Sequence, residues 1–177
     1  MTAPICRFCG APLTRTFVDL GNTPLANAYV TADEAAHGAD HAYPLHARVC
    51  DSCLLVQVDV VVPATAIFTD YAYFSSVSSS WVAHAGRYAA AMIERFRMGS
   101  NSLVMEVASN DGYLLRHFQA AGIRVLGIEP AANVAAAARR SGIPTEVVFF
   151  DAASGSALAE RYGRADLAVA NNVLAIV

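Results

Sequence analysis

Charge is scarce in this sequence: Asp, Glu, Lys and Arg make up 15% of its 177 residues, and the formal net charge is -3. Neither a basic stripe nor an acidic tail is visible, which argues against nucleic acid as a partner, because phosphate binding needs clustered Lys and Arg. The opening MTAPICRFCG lacks a basic stretch followed by an apolar one and does not read as a signal peptide. The most apolar early run, residues 54–68, is interrupted by Gln57, Asp59 and Pro63 and is too short to span a bilayer. No membrane partner is expected, and the expected location is the cytoplasm. In that reducing compartment paired cysteines more often bind metal or do redox work than form permanent disulfides. Apolar residues, by contrast, are plentiful at 55%, enough for a packed core in one ordinary domain or in a small module joined to part of a larger one.

Two halves follow from the pattern. Residues 1–70 mix cysteine, proline and histidine with short β-rich runs such as residues 56–60, have little helical period beyond 32–38, and read as a metal-organised module. Residues 71–99 form a connecting segment. Within it Trp81, Val82, Tyr88, Met92, Ile93 and Phe96 recur at helical spacing over 79–97, with Ser80 as N-cap and Gly99 as stop. Residues 100–177 alternate apolar runs at 103–108, 124–128, 145–150 and 166–170 with helical stretches at 113–121, 131–141 and 156–162. Near-continuous apolar strands separated by helices imply a parallel sheet covered on both faces. The fold class is therefore α/β: a four-cysteine module followed by the first half of a Rossmann-like unit.

The four cysteines come as two CxxC pairs, Cys6/Cys9 and Cys50/Cys53. Each pair lets two thiolates from one tight turn reach the same ion, and two such turns complete a tetrahedral zinc site. Gly10, directly after Cys9, suits a turn that requires positive φ. A redox motif needs its CxxC at a helix start in a βαβ unit, and neither pair has that setting. His37, His41 and His46, in the gap between the pairs, read as solvated loop histidines. A closed four-thiolate site leaves no position for water, so the zinc is expected to stabilise folding.

The segment Met105-Glu106-Val107-Ala108-Ser109-Asn110-Asp111-Gly112 sits where a strand turns into a helix, the place where such folds bind nucleotides. It carries one glycine, not the GxGxxG that lets a pyrophosphate approach the backbone. Glu106 and Asp111 would repel a pyrophosphate but suit a cationic ligand, and S-adenosylmethionine, a sulfonium with an ammonium group, fits. Glu129 ends the next strand, where a carboxylate can accept both hydroxyls of a ribose. Asp151 follows the third strand and is either a contact to the adenine edge or a helix N-cap.

The phrases CRFCG, CDSCLLVQV, YAYFSSVSSSWVAHA, MEVASNDGYLL, VLGIEPAANVA and ADLAVANNVLA, in this order, resemble the sugar C-methyltransferases that act on nucleotide-linked 4-keto-deoxysugars. The resemblance covers essentially the whole chain and implies a zinc-binding domain followed by an S-adenosylmethionine domain. It implies methyl transfer to the carbon next to the keto group, usually C3, of a TDP-linked sugar. It places the donor at Glu106, Ala108, Asn110, Asp111, Gly112, Glu129, Pro130, Asp151 and Asn171. It makes Tyr71, Tyr73 and Ser76 the hydroxyls facing the sugar, Tyr73 before Tyr71. In that family ANNVLA continues with His-Val, where this sequence has Ile176 and its last residue, and the glutamate–histidine pair resembling a general base would lie beyond residue 177. His84 and His117 fall on predicted helices and read as structural or surface residues, not as substitutes. The fourth strand lies mid-sheet in the methyltransferase arrangement, so the expectation is a truncated protein, or the N-terminal piece of a longer one, without efficient turnover alone. The competing readings are a nicotinamide-dependent oxidoreductase fragment, which the loop chemistry disfavours, and a non-enzymatic zinc module, which leaves the SNDG loop unexplained.

Overall fold

The computed structural model describes residues 4–38, 41–59 and 62–173. The chain divides into two compact units between Ile67 and Phe68. In the first, β1 (Arg15–Pro24), β2 (Ala42–Val49) and β3 (Val56–Val58) form an antiparallel sheet in that order. Irregularities in register at Thr16/Val18 and Asp19/Asn22 bend β1. Helix α1 (Ala32–Ala36) starts at a capping box in which Thr31 and Glu34 satisfy each other's backbone N–H. A short α2 (Ala64–Phe68) follows, which the apolar pattern did not foretell. Buried hydrophobic packing in this unit centres on Cys6, Leu13 and Cys50, with Ala11 and Cys53 against them. Phe8, Phe17, Leu20 and Leu54 are all exposed. So small an apolar core points to a unit organised by its cysteines.

The second unit holds a 3-10 turn (Ser75–Val77), α3 (Ser79–Phe96), β4 (Leu103–Val107), α4 (Leu115–Ala120), β5 (Arg124–Ile128), α5 (Ala132–Arg140), β6 (Thr145–Glu146), α6 (Ala152–Tyr162) and β7 (Leu167–Val169). The four strands are parallel in the order β6-β5-β4-β7. Side chains alternate across this sheet. Val104 joins Leu114, Leu115, Phe118 and Val125 on one face, where α3 contributes Ala85 and Ala89. Leu103, Met105 and Val107 join Leu126, Ile128 and Leu158 of α6 on the other. Both faces are covered, as the near-continuous apolar strands require.

Several boundaries differ from the sequence expectation. The run at 145–150 is a strand for only two residues, and Val147 and Phe150 are exposed. Helix α6 starts four residues earlier than expected, because Asp151 and Ser154 form a second capping box. Helix α3 is capped by Ser78, whose Oγ accepts from Trp81 N–H, and not by Ser80. It ends at Arg97 in the left-handed region, φ 51°, two residues before Gly99. Residue 60, the end of the expected run 56–60, and Ile176 lie outside the described residues. Among the described residues no helix is long and apolar enough to cross a membrane.

Candidate functional site

The two CxxC turns share one geometry. Gly10 N–H donates to Cys6 O and Leu54 N–H to Cys50 O, both at 2.9 Å. Gly10 and Leu54, each just past the second cysteine of its pair, have φ of 75° and 65°. The expectation of positive φ at Gly10 holds, and the second turn demands the same of a leucine. These turns aim amides at sulfur: the Cys9 N–H, ahead of other groups, draws the Cys6 thiol down to about 6 against the opposing effect of burial. The Cys53 N–H lowers Cys50 in the same way. Leu55 N–H favours the Cys53 thiolate but is outweighed by burial and the neighbouring sulfurs, which push that thiol up to about 12.

All four sulfurs lie within 4.8 Å of one another. Cys6 and Cys53 are 3.6 Å apart, and Cys9 and Cys50 3.5 Å. A disulfide requires about 2.05 Å, whereas a tetrahedron with Zn–S of about 2.3 Å has edges of about 3.8 Å. The spacing therefore fits a metal tetrahedron. Gln57, buried in β3, donates Nε2–H to Cys6 Sγ at 3.1 Å and accepts from Arg7 N–H at 3.0 Å. Its signal in the sequence was a lone amide in the apolar run Val56-Gln57-Val58.

The histidines of the gap stay out of this cluster. His37 is exposed and bonds Asp33 O, and His41 is exposed. His46 corrects the expectation of a solvated loop residue: it lies in β2, half-buried, bonded to Thr16 Oγ1 and facing Asp59, which Arg48 grips. The strand was obscured by Pro44, which is tolerated because β2 there pairs with β1 and not with β3.

The loop after β4 is built on alternating left-handed residues: Ala108, Asn110 and Gly112 have φ of 52°, 51° and 79°. At Gly112 an added Cβ would sit 2.7 Å from Ile143 Cγ1, so sterics and φ both demand glycine. This winding buries three carboxylates in one neighbourhood, with Glu106 1%, Asp111 4% and Glu129 5% exposed. Glu129 accepts from Asn110 N–H and Ala131 N–H, both at 2.9 Å. Burial pushes Glu106 well above the usual carboxylate range. The Tyr113 hydroxyl facing it works the other way, and the charges of Glu129 and Asp111 add to the rise. Burial also raises Glu129, opposed by its two backbone donors. Tyr113, pushed up to about 12 chiefly by burial, stacks on Trp81 and accepts from Asn171 Nδ2.

Glu106 Oε2, Asp111 Oδ1 and Ser109 Oγ are buried without a hydrogen-bond partner. Such oxygens suit a ligand bearing N–H or O–H donors or positive charge, and the carboxylates among them repel a pyrophosphate.

The other expected residues fall into place around this loop or away from it. Residues 71–76 lie directly on it: Ser75 N–H donates to Asn110 Oδ1 at 2.8 Å, Ser76 N–H to Asp111 Oδ2 at 3.2 Å, and Asn110 Nδ2 to Tyr73 O at 3.0 Å. Tyr73 is half exposed, and Tyr71 and Ser76 are partly buried. Pro130 follows Glu129 into α5. Asp151 is exposed and caps α6. His84 stacks on Trp81, and His117 packs against Gly86 of α3. A cavity of about 290 Å³ is lined by Leu103 and Arg124, which begin β4 and β5, so it lies at the opposite end of the sheet from the loop.

Comparison with known proteins agrees with this geometry. The family described as "Putative zinc binding domain" matches residues 6–68, which contain all four cysteines. The C-methyltransferase NovU of Streptomyces niveus is 35% identical over 162 residues, covering 92% of this chain and 38% of that protein. The chain thus spans well under half the length of this relative. The match runs through both units and not through the cysteine module alone, so the chain is similar along nearly its whole length to part of a C-methyltransferase.

Proposed function

We propose that this chain is the zinc-binding and methyl-donor-binding part of an S-adenosylmethionine-dependent C-methyltransferase whose acceptor is a nucleotide-linked 4-keto-deoxysugar, methylated at the carbon next to the keto group. The observation that carries the donor assignment is the set of buried, unpartnered oxygens on Glu106, Ser109 and Asp111 in a Rossmann-like strand-to-helix loop that lacks the glycines of a pyrophosphate site. When bound, S-adenosylmethionine supplies an electrophilic methyl group on a sulfonium. Glu106 and Asp111 would hold its ammonium end, and Glu129, at the end of β5, its ribose. Ala108, Gly112 and Pro130 shape the wall of the site, and Asn171 reaches it through the Tyr113 hydroxyl.

Tyr73, Tyr71 and Ser76 orient the sugar and its keto oxygen, where a hydroxyl donor steadies negative charge developing after removal of the adjacent acidic proton. Holding the acceptor carbon in line with the methyl group provides much of the acceleration. The zinc keeps the first unit folded and takes no part in the transfer. Calorimetry comparing S-adenosylhomocysteine with NAD tests the donor reading. Binding of the former alone is expected, and binding of NAD alone overturns it.

A further inference from the structure

Residues 69–74 lie outside the strands and helices, yet their backbone is hydrogen-bonded to groups from elsewhere in the second unit. Peptide groups outside a helix or sheet ladder need partners as they leave water, and here they come from the turns at the C-terminal ends of two neighbouring strands. From the start of α5, after β5, Ala132 N–H donates to Thr69 O at 3.3 Å. Asn133 accepts from Tyr71 N–H at 3.1 Å and donates to Tyr71 O at 2.8 Å. From the loop after β4, Asn110 makes the same two-way grip on Ser75 N–H and Tyr73 O. An asparagine amide can accept and donate at once, which an ionised aspartate cannot. Two asparagines therefore play one part at two points along the same segment.

We infer that Asn133, together with Asn110, is a positioning residue that registers the hydroxyl-bearing segment 69–76 against the methyl-donor loop, so that donor binding orders the acceptor side. The inference rests on the donor reading above. The path of coupling is short. Glu129, assigned to the ribose, holds Asn110 N–H, and the Asn110 side chain holds Ser75 and Tyr73. Asn133 fixes the other end of the segment at Tyr71. Tyr73, carried between the two grips, and Ser76, just past the second and held at its N–H by Asp111 of the same loop, inherit their position relative to the donor from these contacts. Misplacement by about 1 Å costs on the order of 100-fold in rate.

Amide hydrogen exchange on this chain with and without S-adenosylhomocysteine tests the inference. In the unsubstituted chain, ligand is expected to slow exchange across 69–76 by about tenfold, along with the loop at 106–112. In Asn133→Ala, the ligand still protects the loop and Ser75–Ser76, but no longer Tyr71. Asn133→Asp, which keeps the acceptor and loses the donor, lies between. Ligand that protects 106–112 while leaving 69–76 unchanged in the unsubstituted chain overturns the inference and spares the donor reading, and this result does not depend on either variant folding. Equal protection at Tyr71 with and without the Asn133 amide also overturns it. No binding of S-adenosylhomocysteine by the unsubstituted chain removes the donor reading and the inference together.

Discussion

Gln57 Nε2–H donates to Cys6 Sγ at 3.1 Å while its own oxygen accepts from Arg7 N–H, so one buried amide links the inside of the first CxxC turn to β3. Partners of this kind orient a metal ligand, and their loss typically costs about 10- to 100-fold in metal affinity. Gln57→Leu is expected to keep zinc but release it about tenfold more readily to a competing chelator. Unchanged release would show that the Cys6 thiolate is held by its turn amides alone.

Metal content gives a stronger test of the same centre. One zinc per chain, to within about a tenth, is expected if the four thiolates share one tetrahedral site. Cys50→Ser, at a fully buried ligand, is expected to lose it and the ordered sheet of the first unit with it. Metal-free protein with four free thiols and an unchanged circular dichroism spectrum would refute the assignment.

Glu106 links stability to pH. Its carboxyl is raised well above 4.5 in the folded chain, chiefly by burial. Between 4.5 and its raised value the folded state therefore binds more protons than the unfolded one, and stability falls as pH rises through that window. Glu129 is raised too and contributes in the same direction. Glu106→Gln removes the Glu106 share. Its melting temperature is expected to decline less than that of the unsubstituted chain between about pH 5 and pH 8. Affinity for S-adenosylhomocysteine should fall about tenfold through loss of a charge-assisted hydrogen bond. Parallel pH profiles for the two proteins would mean that Glu106 is not the group responsible.

The cysteine centre was legible because its chemistry is local: each CxxC defines a turn, and two such turns supply the four thiolates of one tetrahedral site. The acidic loop was legible for the same reason, as a strand end with carboxylates and a single glycine. What escaped were partnerships between distant residues. Asn133 and Tyr71 are 62 positions apart, Gln57 and Cys6 51, and neither pair leaves a periodic trace. The start of α6 was half legible: Asp151 was readable as an N-cap, but the capping box it forms with Ser154, which starts the helix four residues before the apolar period, was not. His46 escaped because Pro44 masked a strand.

Leu54 and Gly10 occupy matching turn positions with opposite aptitudes for them. A leucine at φ 65° bears a backbone cost of about 1–2 kcal/mol that glycine avoids, offset by glycine's larger loss of chain freedom, about 0.5–1 kcal/mol. Leu54→Gly is expected to leave the first unit as stable or up to about 1 kcal/mol more so. Gly10→Ala, where a Cβ meets nothing within 4 Å, should cost about 1 kcal/mol through the backbone alone. Urea titration of both variants reads the contrast, and a marked loss of stability in Leu54→Gly would mean that its exposed side chain matters more than its φ.

Gly127 seats the acidic loop from below. It lies in β5 opposite Glu106 of β4, and a Cβ there would meet Ser109 Oγ at 2.4 Å and Thr145 Oγ1 at 3.0 Å. Ser109 is fully buried and cannot swing into solvent, so Gly127→Ala must push the loop away and should cost about 1–3 kcal/mol. Removing the obstacle should return most of that loss: Ser109→Gly in the Gly127→Ala background relieves the closest contact and leaves the milder one to Thr145 Oγ1. The two substitutions are therefore expected to be non-additive by at least about 1 kcal/mol in a double-mutant cycle. Binding of S-adenosylhomocysteine follows a different course. It is expected to be lost in Gly127→Ala and only partly restored in the pair, because Ser109 Oγ is one of the unpartnered oxygens assigned to the ligand. Additive destabilisation would mean that Gly127 is kept for the strand's own packing, and that the loop takes its shape from the left-handed residues Ala108, Asn110 and Gly112 alone.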